Sequence, residues 1–200
     1  MNDIINDALN YVKTFFEKDF SGHDYYHTFR VYKIATNIAK TEECDSERVK
    51  LTALLHDVDD YKISPTTTEN LDNARSFLTS HGKSSSYIDK ICYDIKNLSF
   101  SKNIDSSVLS IEGKIVQDSD RLDAIGAIGI ARTFAYGGAN GKVLYNPDTK
   151  KDSTIKHFYD KLLKIESLMN TNYGKTLAKE RTIFLKTFLD QFYKEWNINN

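Results

Sequence analysis

The chain has 200 residues, 40% hydrophobic and 28% charged, an ordinary globular balance that argues against disorder and builds a core without help from disulfides or a membrane. A formal net charge of -1 offers no basic field to mark a nucleic-acid polymer as the partner. Cys44 and Cys92, the only cysteines, match neither zinc spacing nor a secreted disulfide framework, and MNDIINDALNYVKTFFEKDF lacks the basic start and apolar run of a signal peptide, so a cytoplasmic protein with no membrane partner is expected.

Only Pro65 and Pro147 interrupt a chain in which apolar residues recur at spacings of three and four, so helix is expected to follow helix with no strand. A first helix is predicted through Ile4, Ile5, Ala8, Leu9, Val12 and Phe16, ending near Ser21 and Gly22. A second begins at Asp24 or Tyr25 and sets His27 on one stripe with Val31, Ile34 and Ile38, with Arg30 at its border. A third starts after Asp45 and Ser46, carries Val49 and Ala53, and turns His56 and Asp57 inward at its end. Beyond the break at Ser64 and Pro65, Thr67 or Thr68 is expected to cap a helix through Ala74, Phe77 and Leu78 that stops at His81 and Gly82. Ser86 with Asp89 resembles a capping box for a helix through Ile88, Ile91, Cys92, Ile95 and Leu98, followed by a loop from Ser99 to Ser106. The next helix is expected from about Ser107 through Val116, Asp120 and Asp123, before Gly126 and Gly129 allow close packing. Tyr136 to Tyr145, with Gly137, Gly138 and Gly141, reads as a loop free to approach a ligand or turn a corner. Two amphipathic helices close the chain, one through Ile155, Phe158, Leu162 and Met169, the other through Leu177, Ile183, Phe184, Phe188 and Trp196.

Imidazoles and carboxylates on buried helix faces are costly unless partnered. One divalent metal ion would partner His27, His56, Asp57 and Asp120, which come from three helices, and leave positions open for water and a substrate oxygen. Manganese is the ion first expected, and the same nitrogen and oxygen donors accept magnesium, iron, nickel, cobalt or zinc. The plainer alternative is an all-α interaction protein without metal, in which these side chains satisfy one another by hydrogen bonds. A second His-Asp pair, His23 and Asp24, follows Gly22 in a loop, where Asp24 serves better as a helix cap.

Three separated strings, Gly22-His23-Asp24-Tyr25-Tyr26-His27 with Arg30, Leu54-Leu55-His56-Asp57-Val58-Asp59-Asp60, and Gln117-Asp118-Ser119-Asp120-Arg121-Leu122-Asp123, resemble in order and spacing the HD-domain superfamily of metal-dependent phosphohydrolases. The resemblance continues through Gly126 to Arg132, the Tyr136-Gly137-Gly138 segment and the C-terminal helices, so it covers nearly the whole chain. It implies a single-domain, all-α HD-type helical bundle with a central metal site, its core at about 20–125 and a helical extension at about 126–200 covering one side. Among the three late aspartates it favours Asp120 as the ligand over Asp118 and Asp123. It further implies a small stand-alone bacterial enzyme that cleaves ribo- or deoxyribonucleoside triphosphates to monophosphate and pyrophosphate.

In such an enzyme the metal lowers the pKa of a bound water and polarises a phosphoryl oxygen, with Asp57 bridging metal and water. Asp60, three residues further on, is a candidate general acid or base, although some family members carry a glutamate there and a surface carboxylate is the plainer reading. Arg30, Lys62, Lys102, Arg121 and Arg132 could bind phosphate oxygens, but for all except Arg30 a solvated cation is the simpler role. His23 either touches substrate or completes a loop, His157 could reach a ligand from the first turn of its helix, and the Gly137 to Tyr145 segment could shape a base and sugar pocket. His81 belongs to a helix end and not to the site. The twelve tyrosines and eleven phenylalanines fall at helical spacing and read as core, not as a base-stacking platform. On the same metal centre a 5′-nucleotidase or a cyclic or alarmone nucleotide phosphodiesterase remains the alternative, and outside enzymes a non-catalytic metal- or nucleotide-binding regulatory module. A homo-oligomer is compatible with the sequence.

Overall fold

Asp3, Asp24, Asp45, Ser84, Ser153 and Thr171 each accept a hydrogen bond from a backbone N–H two or three residues on, and a helix begins after each. The structure, a computed structural model, describes residues 3–17, 24–98, 108–147 and 153–197. Its helices are α1 (Ile4–Phe15), α2 (Tyr25–Ile38), α3 (Ser46–Leu55), α4 (Asp72–Ser80), α5 (Ser85–Asn97), α6 (Ile111–Asp123), α7 (Gly126–Ala139), α8 (Thr154–Asp160) and α9 (Asn172–Trp196), with a 3-10 helix over Leu162–Leu168. No strand occurs among the described residues, as the spacing of apolar residues implies.

The chain divides into two compact units, residues 1–119 and 120–200. In the first, α1, α2 and α5 pack on α3, and α4 packs on α5. Every residue from Leu51 to Leu55 is buried, so the C-terminal half of α3 is enclosed on all sides and its end is fixed in place. Val12, Phe16, Leu54, Leu55, Leu78 and Ile91 are among the residues that form this core. In the second unit α7 packs on α8 and α9, and the 3-10 helix on α8 and α9. The Arg181 guanidinium donates to the Leu122 carbonyl, and a Cβ on Gly126, at φ 77°, would press on the Arg181 side chain.

Several boundaries differ from the expected ones, each for a physical reason. α1 stops at Phe15 and not near Ser21 and Gly22, which lie outside the described residues. α4 begins at Asp72: Thr67 and Thr68 spend their hydroxyls on the Ser64 carbonyl, and the helix takes its cap from elsewhere in the chain. α5 is capped by Ser84, not Ser86. α6 runs from Ile111, with the Ser110 hydroxyl accepting from Gly113 N, and Ser107, near which the helix was expected to start, lies outside the described residues. Gly137 and Gly138 lie inside α7, not in a loop, because Gly137 lets Thr154 come where a Cβ would stand 2.3 Å from its hydroxyl. The turn falls at Gly141, whose φ is 68°. The helix expected from Ile155 to Met169 is broken at Lys161 into α8 and the 3-10 helix. On α9 the inward stripe is Gly174, Ala178, Thr182, Leu185 and Leu189, while Ile183 and Phe184 are 56% and 50% exposed. The expected loop from Ser99 to Ser106 lies outside the described residues.

Among the described residues no helix is long and apolar enough to cross a membrane. Cys44 and Cys92 are free thiols.

Candidate metal centre

His27 stands in the first turn of α2, and its backbone is held by the cap: His27 N donates to Asp24 Oδ1 at 2.7 Å. The imidazole is buried on the inward side of the helix with Val31 and Ala35. His56 closes α3, and Asp57 follows in a turn secured by Val58 N to Leu55 O at 3.4 Å and Asp60 N to Asp57 O at 3.0 Å. The helix therefore does not persist to Asp60, but the turn keeps Asp57 and Asp60 within one coil of backbone.

These elements bring three donors together. His27 Nε2 lies 3.5 Å from Asp57 Oδ2, and His56 Nε2 lies 3.3 Å from the same oxygen. The two rings meet edge to face with centroids 5.5 Å apart. Among the described residues His27, His56 and Asp57 form a group whose ligand atoms all lie within 4.8 Å of one another, a separation suited to one metal ion.

The donor chemistry fits a cation. His56 Nδ1 lies 2.8 Å from the Ala53 carbonyl, and a carbonyl can only accept, so Nδ1 carries the proton. His56 then has only the lone pair of Nε2 to turn toward Asp57 Oδ2, 3.3 Å away, and both atoms are of the kind that ligate a divalent cation. Histidine ligands characteristically give their other N–H to a backbone carbonyl in this way.

Asp120 is half-buried on α6 in the second unit. In that unit Asp123 is buried and accepts from Arg132 Nη1 at 2.6 Å, and Arg121 Nη1 donates to the Leu168 carbonyl at 2.5 Å. Asp118, in the first unit, is fully buried. Arg30 is half-buried on α2, and Lys62 is exposed with its N–H on Asp60 Oδ1 at 2.9 Å. His157 lies on the exposed side of α8, its pKa lowered by partial burial and then by Lys161 and Lys142. His81 sits at the end of α4, with Nδ1 bonded to the Phe77 carbonyl at 2.8 Å. His23 and Lys102 lie outside the described residues.

Two features escaped the sequence reading. Asp59 is buried and caps α4 from a distance; a signal existed in the acidic Asp57-Val58-Asp59-Asp60 run. Arg48, Asp94 and Glu112 form a buried ion cluster that joins residues far apart in sequence, and no local pattern announces it.

The HD domain family model matches residues 24–125. The Bacillus subtilis protein YpgQ is 37% identical over 187 residues, covering 92% of this chain and 90% of that protein. The crystal structure of an HD-superfamily hydrolase from Bacillus thuringiensis superposes with a TM-score of 0.81 at 41% identity, covering 96% of each chain. The crystal structure of B. subtilis YpgQ in complex with ADP superposes with a TM-score of 0.79 at 35% identity, covering 96% of this chain and 97% of that one. The expected resemblance and the all-α HD-type fold are thereby borne out.

Proposed function

The chain belongs to the HD-domain superfamily of metal-dependent phosphohydrolases, and on that footing we propose that it cleaves ribo- or deoxyribonucleoside triphosphates to the monophosphate and pyrophosphate. The observation that carries the reading is the convergence of His27, His56 and Asp57 within 4.8 Å. Supporting the nucleotide class is the structure of YpgQ with ADP.

In this reading His27, His56 and Asp57 would hold one divalent cation, with manganese as the working ion, and Asp120 is proposed as the fourth donor on the sequence resemblance alone. When bound, the cation supplies Lewis acidity toward a phosphoryl oxygen and a more acidic water. The chain's own residues do the rest. Asp57 keeps its carboxylate facing both imidazoles. Asp60, with one oxygen held by Lys62 N, keeps the other for the proton that the attacking water loses as it bonds to the α-phosphorus and the α–β bridging P–O bond breaks. Pyrophosphate leaves with that bridging oxygen. Arg30 and Lys62 meet the phosphate charge as guanidinium and ammonium donors. The free thiols suit a reducing cytoplasm.

The test is to incubate wild type and Asp57→Ala with a panel of nucleotides and manganese, and to identify products by chromatography. Pyrophosphate and monophosphate from wild type alone support the reading. Orthophosphate alone would move the assignment to a nucleotidase, and no product with any metal would leave a binding module.

A further inference from the structure

Asp59 is 2% exposed, and a carboxylate is not buried without a partner. Its partners are the backbone of α4: Oδ1 accepts from Asn73 N at 3.1 Å and Oδ2 from Ala74 N at 2.9 Å. Asn73 answers in the other direction, its Nδ2 donating to Val58 O at 3.0 Å and to Thr67 Oγ1 at 3.2 Å. Val58 and Asp59, the two residues directly after Asp57, are therefore both bonded to the first turn of α4. The turn that presents Asp57 is held on one side by α3 and on the other by α4.

Six other helices, α1, α2, α3, α5, α8 and α9, each take a local Asp, Ser or Thr, and α7 begins after Ile125 with no side-chain cap. At the N-cap position of α4 stands Leu71, which has no side-chain acceptor and adopts a left-handed φ of 57°. For a bulky residue that conformation is unfavourable and persists only where the surroundings enforce it. Here they do: Leu71 is buried in the core of the first unit while the α4 N–H groups are drawn onto Asp59.

We propose that Asp59 is a positioning residue of the metal centre: by capping α4 from the Asp57 turn it holds the Asp57 carboxylate at the distance from His27 and His56 at which three donors close on one cation. The proposal rests on the metal-centre reading of those three residues. Asp59 itself, with both oxygens committed to N–H groups, does not touch the cation or the substrate.

The experiment is a manganese binding titration followed by electron paramagnetic resonance of the free ion, on wild type, Asp59→Ala, Asp59→Asn, Asn73→Ala, His56→Ala and Ser84→Ala. Loss of a supporting partner around a metal site weakens binding by about 10-fold or more, and that is expected for Asp59→Ala. Asp59→Asn should fall between, since its amide oxygen accepts one N–H while its NH2 faces the other. Asn73→Ala should follow Asp59→Asn. Ser84→Ala removes a local cap on α5 and should destabilise the fold without moving manganese affinity, which separates positioning from general loss of stability. Should Asp59→Ala not fold, Asp59→Asn and Asn73→Ala decide the matter. Wild-type affinity in those two overturns the proposal, and if His56→Ala has lost binding in the same series the metal centre itself stands. Wild-type affinity in His56→Ala overturns the metal-centre reading, and the proposal with it.

Discussion

Asp94 is fully buried, and Arg48, coming from a separate helix, reaches its Oδ2 through Nη2 at 2.5 Å. Ser110 adds its N–H at 3.2 Å and its hydroxyl at 2.7 Å, and Arg48 Nη1 extends to Glu112 at 3.1 Å. Gly113 leaves room for the carboxylate, since a Cβ there would stand 2.5 Å from Asp94 Oδ1. The cluster ties α3, α5 and α6 together within the first unit.

Removing one partner of a buried pair leaves the other charged and desolvated. Asp94→Ala is therefore expected to lower the unfolding free energy by about 3 kcal/mol, measured by urea denaturation. A loss no larger than that of an exposed substitution would show that the cluster contributes little.

Glu112 gives the cluster a pH dependence. Burial raises its pKa, but N–H groups of Asp45 and of Glu112 itself, the Ser110 hydroxyl and the Arg48 charge outweigh that and leave it below the ordinary 4.5. A carboxyl depressed in the folded state contributes stability that is present above its unfolded value and lost as pH falls through the lower folded one. Wild type should lose stability on acidification below about pH 4.5, the unfolded value, and Glu112→Gln should show a shallower slope in that window. Equal slopes in urea titrations across the window would refute the assignment.

Two glycines of α7 should respond in opposite directions. A Cβ on Gly129 would stand 2.2 Å from the Ala124 carbonyl oxygen, a backbone atom that cannot swing aside, whereas one on Gly138 meets nothing within 4 Å. Gly129→Ala should cost about 1–3 kcal/mol by overpacking, and Gly138→Ala should gain up to about 0.5–1 kcal/mol by restricting the unfolded chain. Thermal melts of the two variants, shifted down and up respectively, check the local packing of the second unit.

Asp60 separates chemistry from binding. If it takes the proton from the attacking water, Asp60→Asn should lower turnover by about 100-fold while manganese binding stays as in wild type. Unchanged turnover would make it the surface carboxylate that its half-exposed position also permits.

Where a signal is local, the sequence carried it. Asp24 caps α2 as its position before Tyr25 implies, and that bond fixes the start of the helix and with it the inward side of His27. Asp45 does the same for α3, whose apolar run delivers His56 and Asp57 to a buried end. What could not be read is what depends on contacts across the chain. Thr67 and Thr68 have the right chemistry to cap α4, but Asp59 wins the α4 N–H groups from another segment. Gly137 and Gly138 have the composition of a loop, yet Gly137 is helical because Thr154 packs where its side chain would be. Ile183 and Phe184 satisfy a helical spacing, but the small residues Gly174, Ala178 and Thr182 are the ones that face inward, since they allow α9 its close approach. Asp123 and Arg132 meet in a 2.6 Å bond that no local pattern announces.

A divalent cation held by His27, His56 and Asp57 should be found by metal analysis of protein purified without chelator, wild type beside His56→Ala and Asp57→Ala. The expected result is about one metal ion per chain in wild type and little in either variant, with all three proteins folded by circular dichroism. Equal metal content in the three, or none in folded wild type even after incubation with manganese, would contradict it and leave the three side chains as a hydrogen-bonded buried cluster.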